Sequence, residues 1–236
     1  MKKYIGTKQI EAEPMTRGDA WGKHLLREKP STENFDDEGY HVRYEDGYES
    51  WSPKDVFEKA YKIAETPVDR MQIEAEEVNG RYVKLAAFID SGKMDEVVND
   101  MYNKCLLEMQ CCTMFDYIRL LDTRIQRMQG SDGAKVRKMN FGMAIMALKA
   151  GYPIRRSGWN GKGLMVFKQV PAHIESDVIP KMQSLPQSAK DLILKGKGFI
   201  DYTSQCLIYN ENTGRADSWV PSISDVFADD WEIVLS

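Results

Sequence analysis

The residues best suited to chemistry lie in two short stretches of the C-terminal third of this 236-residue chain. The first stretch, Ser157 to Gly163, contains three glycines, Trp159 and Asn160. Glycines let backbone N–H groups approach a ligand, and grouped N–H donors suit phosphate oxygens. The indole offers a flat face to a base, and the amide can hydrogen-bond a base edge or a ribose. The pattern indicates nucleotide binding, although it also fits a tight hairpin whose tryptophan seals the core.

The second stretch, Ser218 to Asp225, carries Trp219 before a proline-stiffened corner. Ser222 is placed to cap a following helix, with Asp225 at the third helical position. Because a helix N-terminus attracts anions, this stretch is also a candidate ligand site. A helix cap without any ligand explains the same residues equally well.

The charge balance requires that an anionic ligand be held locally. The formal net charge is −4 and the pI is near 5.5, so no global field draws the chain to nucleic acid or to anionic lipid. Arg155, Arg156 and Lys162, which flank or lie in the first stretch, are the candidate cations. Stacking on an aromatic side chain contributes about 1–3 kcal/mol per base. Two such contacts and an arginine would supply a large part of the free energy that nanomolar affinity requires.

Few residues favour catalysis. The three histidines are not spaced with a carboxylate or a cysteine, and neither a Walker-type phosphate loop nor a serine nucleophile elbow occurs. The adjacent pair Asp229 and Asp230 is expected to be solvated or to cap a backbone group. We therefore expect no enzyme activity, no metal and no cofactor.

Composition indicates a protein of the reducing cytoplasm. The four cysteines have no metal-type spacing, and the start of the chain lacks the apolar core of a signal peptide. No apolar run approaches the length that crosses a bilayer. We expect neither a membrane nor a nucleic-acid partner.

Three segments are predicted to position these residues in an α+β protein. Residues 1–63 form a small α+β module: a strand from Tyr4 to Ala12 that stops at Pro14, a helix from Asp19 to Leu26, a hairpin that turns at Asp46-Gly47, and a helix that Ser52 caps. Residues 66–130 form an antiparallel helical hairpin that begins at Thr66 and breaks at Ser91 to Lys93. Because a lone hairpin cannot bury both of its apolar stripes, it should dock on another surface or dimerise.

The third segment, residues 139–236, is predicted as an antiparallel sheet with short helices. Asn140 caps its first helix and Gly151 ends it. The later elements are strands at 152–156 and 164–170, two short helices within 175–195, a hairpin of 199–209 with 216–220, a helical turn at 222–228 and a last strand at 231–234. Trp231 is expected to be a core residue.

This third segment resembles the phage Thoeris anti-defence protein 2 family. The resemblance rests on four blocks in order: Met139 to Gly142, Ala147 to Gly151, Arg156 to Gly163, and Trp219 to Ser222 followed by Asp225 and by Ala228 to Ile233. It implies a non-catalytic sponge for cyclic ADP-ribose signals and, in some members, for the cyclic dinucleotides of CBASS. It also implies a homotetramer with pockets at subunit interfaces, acting in the host bacterial cytoplasm. The expected ligand-binding residues are Trp159, Asn160, Gly161, Arg156, Trp219, Ser222 and Asp225.

Weaker resemblances cover the rest of the chain. Residues 1–63 resemble a small domain of Bacteroides-type phage proteins, and the segment around Cys105 to Gln110 resembles a helical-hairpin protein of crAss-like phages; neither implies an activity. Two alternatives to a sponge stay open. One is an enzyme that cleaves the same cyclic nucleotide, and the other is a phage structural or host-interaction protein.

Overall fold

The computed structural model of the chain describes residues 9–235. The chain divides into two compact units, Met1–Ile73 and Glu74–Ser236. Its described strands form a three-stranded, a five-stranded and a two-stranded sheet, and the pairings within them are antiparallel. Together with the helices, this arrangement confirms the predicted α+β class. None of the helices within residues 9–235 combines the length and the apolarity that a membrane span requires.

Residues 9–60 of the N-terminal unit form a three-stranded sheet with two short α-helices. In chain order its elements are β1 (Ile10–Thr16), α1 (Arg17–Gly22), β2 (Glu38–Tyr44), β3 (Glu49–Pro53) and α2 (Lys54–Ala60), and the sheet order is β1-β2-β3. The hairpin turn is confirmed, since Gly47 has φ +81° and its N–H donates to the Tyr44 carbonyl at 2.9 Å.

Three boundaries of this unit differ from prediction. The part of the predicted Tyr4 to Ala12 strand at residues 4–8 lies outside the described residues, and its stop at Pro14 is wrong. β1 continues through Pro14, because an edge strand does not need every N–H for pairing. α1 starts and ends earlier than expected. Ser52 does not cap α2, because it remains paired in β3 and Pro53 occupies the cap position.

Two long helices follow in the chain, and the boundary between the two units falls within the first of them. α3 (Pro67–Asp90), a single turn α4 (Met94–Val97) and α5 (Met101–Met128) follow in order. The predicted helix start is confirmed: the Asp69 N–H donates to Thr66 Oγ1 at 3.1 Å, and the Thr66 N–H donates to Asp69 Oδ2 at 2.8 Å. The Tyr82 and Phe115 rings contact each other with centroids 5.5 Å apart, so α3 and α5 pack together as the predicted hairpin.

The rest of the second unit is the domain that holds the candidate site. Its elements are, in order, α6 (Phe141–Lys149), β4 (Ile154–Arg156), β5 (Leu164–Lys168), β6 (Ala172–Ile174), α7 (Gln187–Lys195), β7 (Ile200–Tyr202), β8 (Cys206–Asn210), β9 (Arg215–Ser218), α8 (Ile223–Val226) and β10 (Trp231–Ile233). The five-stranded sheet has the order β10-β4-β5-β8-β9. The predicted cap of α6 is confirmed, because the Met143 N–H donates to Asn140 Oδ1 at 2.9 Å.

One segment of this domain that was predicted as a single strand forms two strands. Residues 199–209 are divided between β7 and β8, and only β8 forms the expected hairpin with β9. β7 pairs instead with β6 in a separate two-stranded sheet. β6 has three residues, which is too short for its alternation to be read from the sequence.

The core of this domain lies between α6 and the sheet. Met139, Ile154, Val166 and Trp231 are at most 1% exposed and belong to one cluster with the apolar face of α6. The two sequence-predicted tryptophans, Trp159 and Trp219, pack against this cluster while remaining partly exposed.

Candidate functional site

Three indoles meet at one point of the C-terminal domain. Trp231 is fully buried, and its Nε1 donates to the Asp225 carbonyl at 3.0 Å. Trp159 and Trp219 both lie edge-on to its ring, with centroids 5.4 Å and 6.1 Å away and an interplanar angle of 78° in each case. Trp231 is therefore a core residue, as predicted, and it brings together the two indoles expected in the site.

The carboxylate of Asp225 connects the two sequence stretches. Its Oδ1 accepts from Arg156 Nη1 at 3.0 Å and from Trp159 Nε1 at 3.2 Å. Its Oδ2 accepts from the Ser222 N–H at 3.0 Å and from Ser222 Oγ at 2.7 Å. Its side chain is 10% exposed. All four contacts are internal, so Asp225 positions its neighbours in this structure.

The environment of Asp225 favours the charged form. Burial alone would raise its pKa, but hydrogen bonds from Ser222, Arg156 and Trp159 outweigh burial and hold the pKa below its usual value. The capping box predicted for Ser222 and Asp225 is confirmed, since the Asp225 N–H also donates to Ser222 Oγ at 3.2 Å. The helix cap and the candidate site are therefore built from the same residues.

A second carboxylate, Asp230, anchors the other side of Arg156. Arg156 Nε donates to Asp230 Oδ1 at 2.7 Å, and the Gly158 N–H donates to Asp230 Oδ2 at 2.8 Å. Burial would raise the Asp230 pKa, yet these two hydrogen bonds lower it. Sequence reasoning did not include Asp230 in the site. The residues next to Asp230 do not indicate this role, because its partner Arg156 lies 74 residues away, on the strand that pairs with β10.

The glycine turn is shaped by close packing. A Cβ at Gly158 would lie 2.6 Å from Asp230 Oδ2, and one at Gly161 would lie 2.4 Å from a Leu164 methyl. Gly163 has φ +78°, a conformation that favours glycine. The Gly158 N–H is already bound to Asp230, so it is not a free donor for phosphate. The geometry of the turn itself therefore explains why glycine occupies these positions.

The groups available to a ligand lie at the rim of this arrangement. Asn160, Gly161 and Ser222 are exposed, and the two outer indoles are half-buried. Arg155 is directed elsewhere, since its Nε donates to Glu232 Oε1 at 2.6 Å. All seven predicted residues are therefore in one region, with Arg156 and Asp225 beneath and the other five toward the surface.

Exposed apolar side chains adjoin the site. Val220, Ile223 and Phe227 flank or belong to α8, and each is between 79% and 81% exposed. Large apolar side chains this exposed and this close together are typical of a surface that contacts another molecule.

Metal ligation finds no support in the part of the chain that the structure describes. Across residues 9–235 no group of three histidines, cysteines or acids has a metal-binding arrangement. Two histidines do have carboxylate partners that their sequence spacing did not reveal. His41 lies between Glu13 and Glu49, and His173 contacts Asp201 at 2.6 Å, which raises the His173 pKa.

The comparisons with known proteins point to the same region. The family model described as Tad2-like, a Thoeris anti-defense 2-like domain, matches residues 139–234. A protein named Thoeris anti-defense 2 from Bacillus phage SP01 is 33% identical over 102 residues, which cover 41% of this chain and 96% of the relative. A second model, Sequestin, matches residues 65–127, which include nearly all of α3, α4 and α5. The C-terminal match confirms the resemblance seen in the sequence, and the chain belongs to the Thoeris anti-defense 2 family through its C-terminal domain.

Proposed function

We propose that this chain is a phage anti-defence protein that acts in the host bacterial cytoplasm. Its C-terminal domain binds a cyclic nucleotide immune signal and keeps it from its effector without breaking it. The signals in question are the glycocyclic ADP-ribose of Thoeris and, in addition, the cyclic dinucleotides of CBASS. Such a trap works by mass action, so it must be abundant and bind the signal tightly.

The observation that best supports this proposal is the packing of both Trp159 and Trp219 against one buried indole, that of Trp231. Both rings are held by packing, so stacking a base on them requires little further ordering. Asn160 and Ser222 lie at the exposed rim beside them and supply polar groups for ribose and phosphate. Arg156 lies beneath these groups, where Asp225 and Asp230 orient its guanidinium and offset its charge.

Assembly completes the site in this proposal. The exposed apolar side chains of Val220, Ile223 and Phe227 adjoin Ser222, and burying them between copies would enclose a ligand. A homotetramer with pockets between subunits, as the family resemblance implies, uses this surface as a contact. Two copies would then share each ligand.

The test is to recover the ligand after binding. The full chain is mixed with glycocyclic ADP-ribose or a cyclic dinucleotide, freed of unbound ligand, denatured by heat, and the released small molecule is chromatographed. Intact ligand in a stoichiometric amount supports sequestration. A linear or shortened product shows cleavage instead, and absence of retained ligand across a panel of cyclic nucleotides contradicts binding.

A further inference from the structure

The N-terminal unit contains an open cleft of about 470 Å³. The cleft lies where β1 and β3 end and β2 begins, and its lining residues fall between positions 17 and 58. It is therefore formed within that unit alone. Trp51 and Pro53 of β3 are its apolar part, and the other lining side chains are charged. Clefts of about 300–1,000 Å³ are large enough to hold a small ligand or a few residues of a peptide.

The Trp51 indole is a fixed wall of this cleft. Its Nε1 donates to the Met15 carbonyl at 2.9 Å. The ring lies against Gly39, where an added Cβ would come within 2.5 Å of it, and the Arg17 guanidinium lies over the ring, 5.6 Å from its centroid. Because these contacts already hold the half-buried ring, a ligand that packs on it requires little further ordering of the protein.

A full count of the lining charges leaves one of them uncompensated. Five of the six charged side chains have an ion-pair partner: Lys54 with Glu38 at 2.6 Å, Arg17 with Asp37 at 3.5 Å, and Asp55 with Lys59 at 3.8 Å. Glu58 is the sixth, and within residues 9–235 it accepts only from the neutral Tyr40 hydroxyl, at 2.9 Å. The exposed Glu58 carboxylate is therefore the charge to which a ligand cation can bind.

The Arg17 guanidinium has more donors than acceptors. Its Nη1 donates to Asp37 Oδ2 at 3.5 Å, a long hydrogen bond. Its Nε is the one buried side-chain nitrogen or oxygen within residues 9–235 that lacks a hydrogen-bond partner. Because buried donors are normally paired, this guanidinium has capacity for a further acceptor. A neutral carbonyl suits it better than a carboxylate, since Asp37 lies beside it and would repel a second anion.

We propose that this cleft binds an arginine-bearing segment of a partner polypeptide. The ligand guanidinium pairs with Glu58, its aliphatic stem packs on Trp51 and Pro53, and a peptide carbonyl next to it accepts from Arg17. An arginine fits because its weakly hydrated, planar head group both pairs with carboxylates and packs on aromatic rings. The N-terminal unit is then a peptide-docking module whose role does not depend on the nucleotide site of the C-terminal domain.

The first test uses N-acetyl-arginine methylamide, a single arginine side chain between two peptide groups. Its binding to the full chain is measured by ligand-observed saturation-transfer NMR up to about 10 mM, a range that covers weak single-residue contacts. The citrulline analogue has the same shape without the charge and should bind at least about fivefold more weakly. Absence of saturable binding of the arginine probe refutes the proposal, and so does equal binding of the two probes.

Glu58→Gln tests where the ligand cation lies. Glutamine can still accept from Tyr40 but carries no charge, so the affinity for the arginine probe should fall by at least about fivefold. Glu45→Gln is the matched control, because it removes the charge of an exposed carboxylate that does not line the cleft. It should leave the affinity unchanged. Equal affinities of the two variants would refute the role of Glu58, and circular dichroism should show that both are folded.

Arg17→Lys tests the contact with the peptide carbonyl. Lysine keeps the positive charge but removes the planar set of donors, so binding of the arginine probe should weaken by about fivefold. Propylguanidine, which is the arginine side chain without peptide groups, should bind the native chain and this variant within about twofold of each other. If propylguanidine binds the native chain as tightly as the arginine probe, the carbonyl contact is refuted.

These measurements are independent of the function proposed for the C-terminal domain. Glu58→Gln should retain as much cyclic nucleotide as the native chain, since Glu58 belongs to the other unit. A chain that binds the arginine probe but no cyclic nucleotide would contradict the proposed function and support the peptide cleft. A chain that retains the nucleotide but not the arginine probe would refute the cleft alone.

Discussion

Replacing Asp225 by asparagine tests whether one buried carboxylate holds the candidate site in place. Asparagine preserves the shape, and its amide oxygen can still accept from Arg156 and Trp159. Its amide nitrogen then faces the Ser222 N–H and hydroxyl, which both donate to the carboxylate in the native chain. The substitution also removes the negative charge that Asp225 places opposite Arg156. We expect lower stability and weaker ligand binding together.

The size of the effect follows from these contacts. The change removes the reciprocal half of the capping box and leaves the Ser222 N–H unpaired, which costs about 1–2 kcal/mol. Changing the charge-assisted hydrogen bond from Arg156 to a neutral one costs about 1 kcal/mol more. Arg156 keeps Asp230 as a partner, so the full penalty of an unpaired buried charge is avoided. The sum is about 2–3 kcal/mol, which lowers the melting temperature of a unit of this size by about 5–10 °C.

Thermal and urea denaturation of the full chain measure this loss. Asp229→Asn is the matched control, because Asp229 is the exposed neighbour of Asp230 and should change stability by less than about 0.5 kcal/mol. Ligand affinity is compared by calorimetry at a temperature where both variants are folded. Equal stability and equal affinity in the two variants would refute the anchoring role of Asp225.

Three further outcomes are expected. Since the pKa values of Asp225 and Asp230 are lowered on folding, their contribution to stability is present above the unfolded-state value of about 3.9 and is lost as pH falls through the lower folded value. The urea midpoint of the wild-type chain should therefore fall in acid, and a midpoint that rises below pH 4 would contradict this. Gly158→Ala places a methyl group against Asp230 Oδ2 and should cost about 1–3 kcal/mol in urea denaturation, whereas Gly133→Ala, which meets no neighbour, should not. Asn160→Ala removes an exposed amide and should weaken ligand binding by more than about tenfold with no change in melting temperature. An unchanged ligand affinity would place the binding site elsewhere.

Local sequence determined much of this protein, because the relevant interactions span four residues or fewer. The turn at Asp46-Gly47, the cap at Asn140 and the capping box of Ser222 with Asp225 all depend on neighbouring residues, and each is present as predicted. The helical hairpin follows from apolar spacing along each helix. The family resemblance in the C-terminal domain likewise rests on short blocks of sequence.

Tertiary structure alone decided which residues support the site. Asp230 reaches Arg156 and Gly158 because β10 pairs with β4, a register that brings together residues more than 70 positions apart. The same pairing buries Trp231, against which both outer indoles pack. Strand register depends on how the whole sheet buries its apolar face, and a few neighbouring residues do not specify it. The sequence therefore named seven candidate residues, including Arg156 and Asp225 beneath the rim, and the fold added the carboxylate of Asp230 as a support.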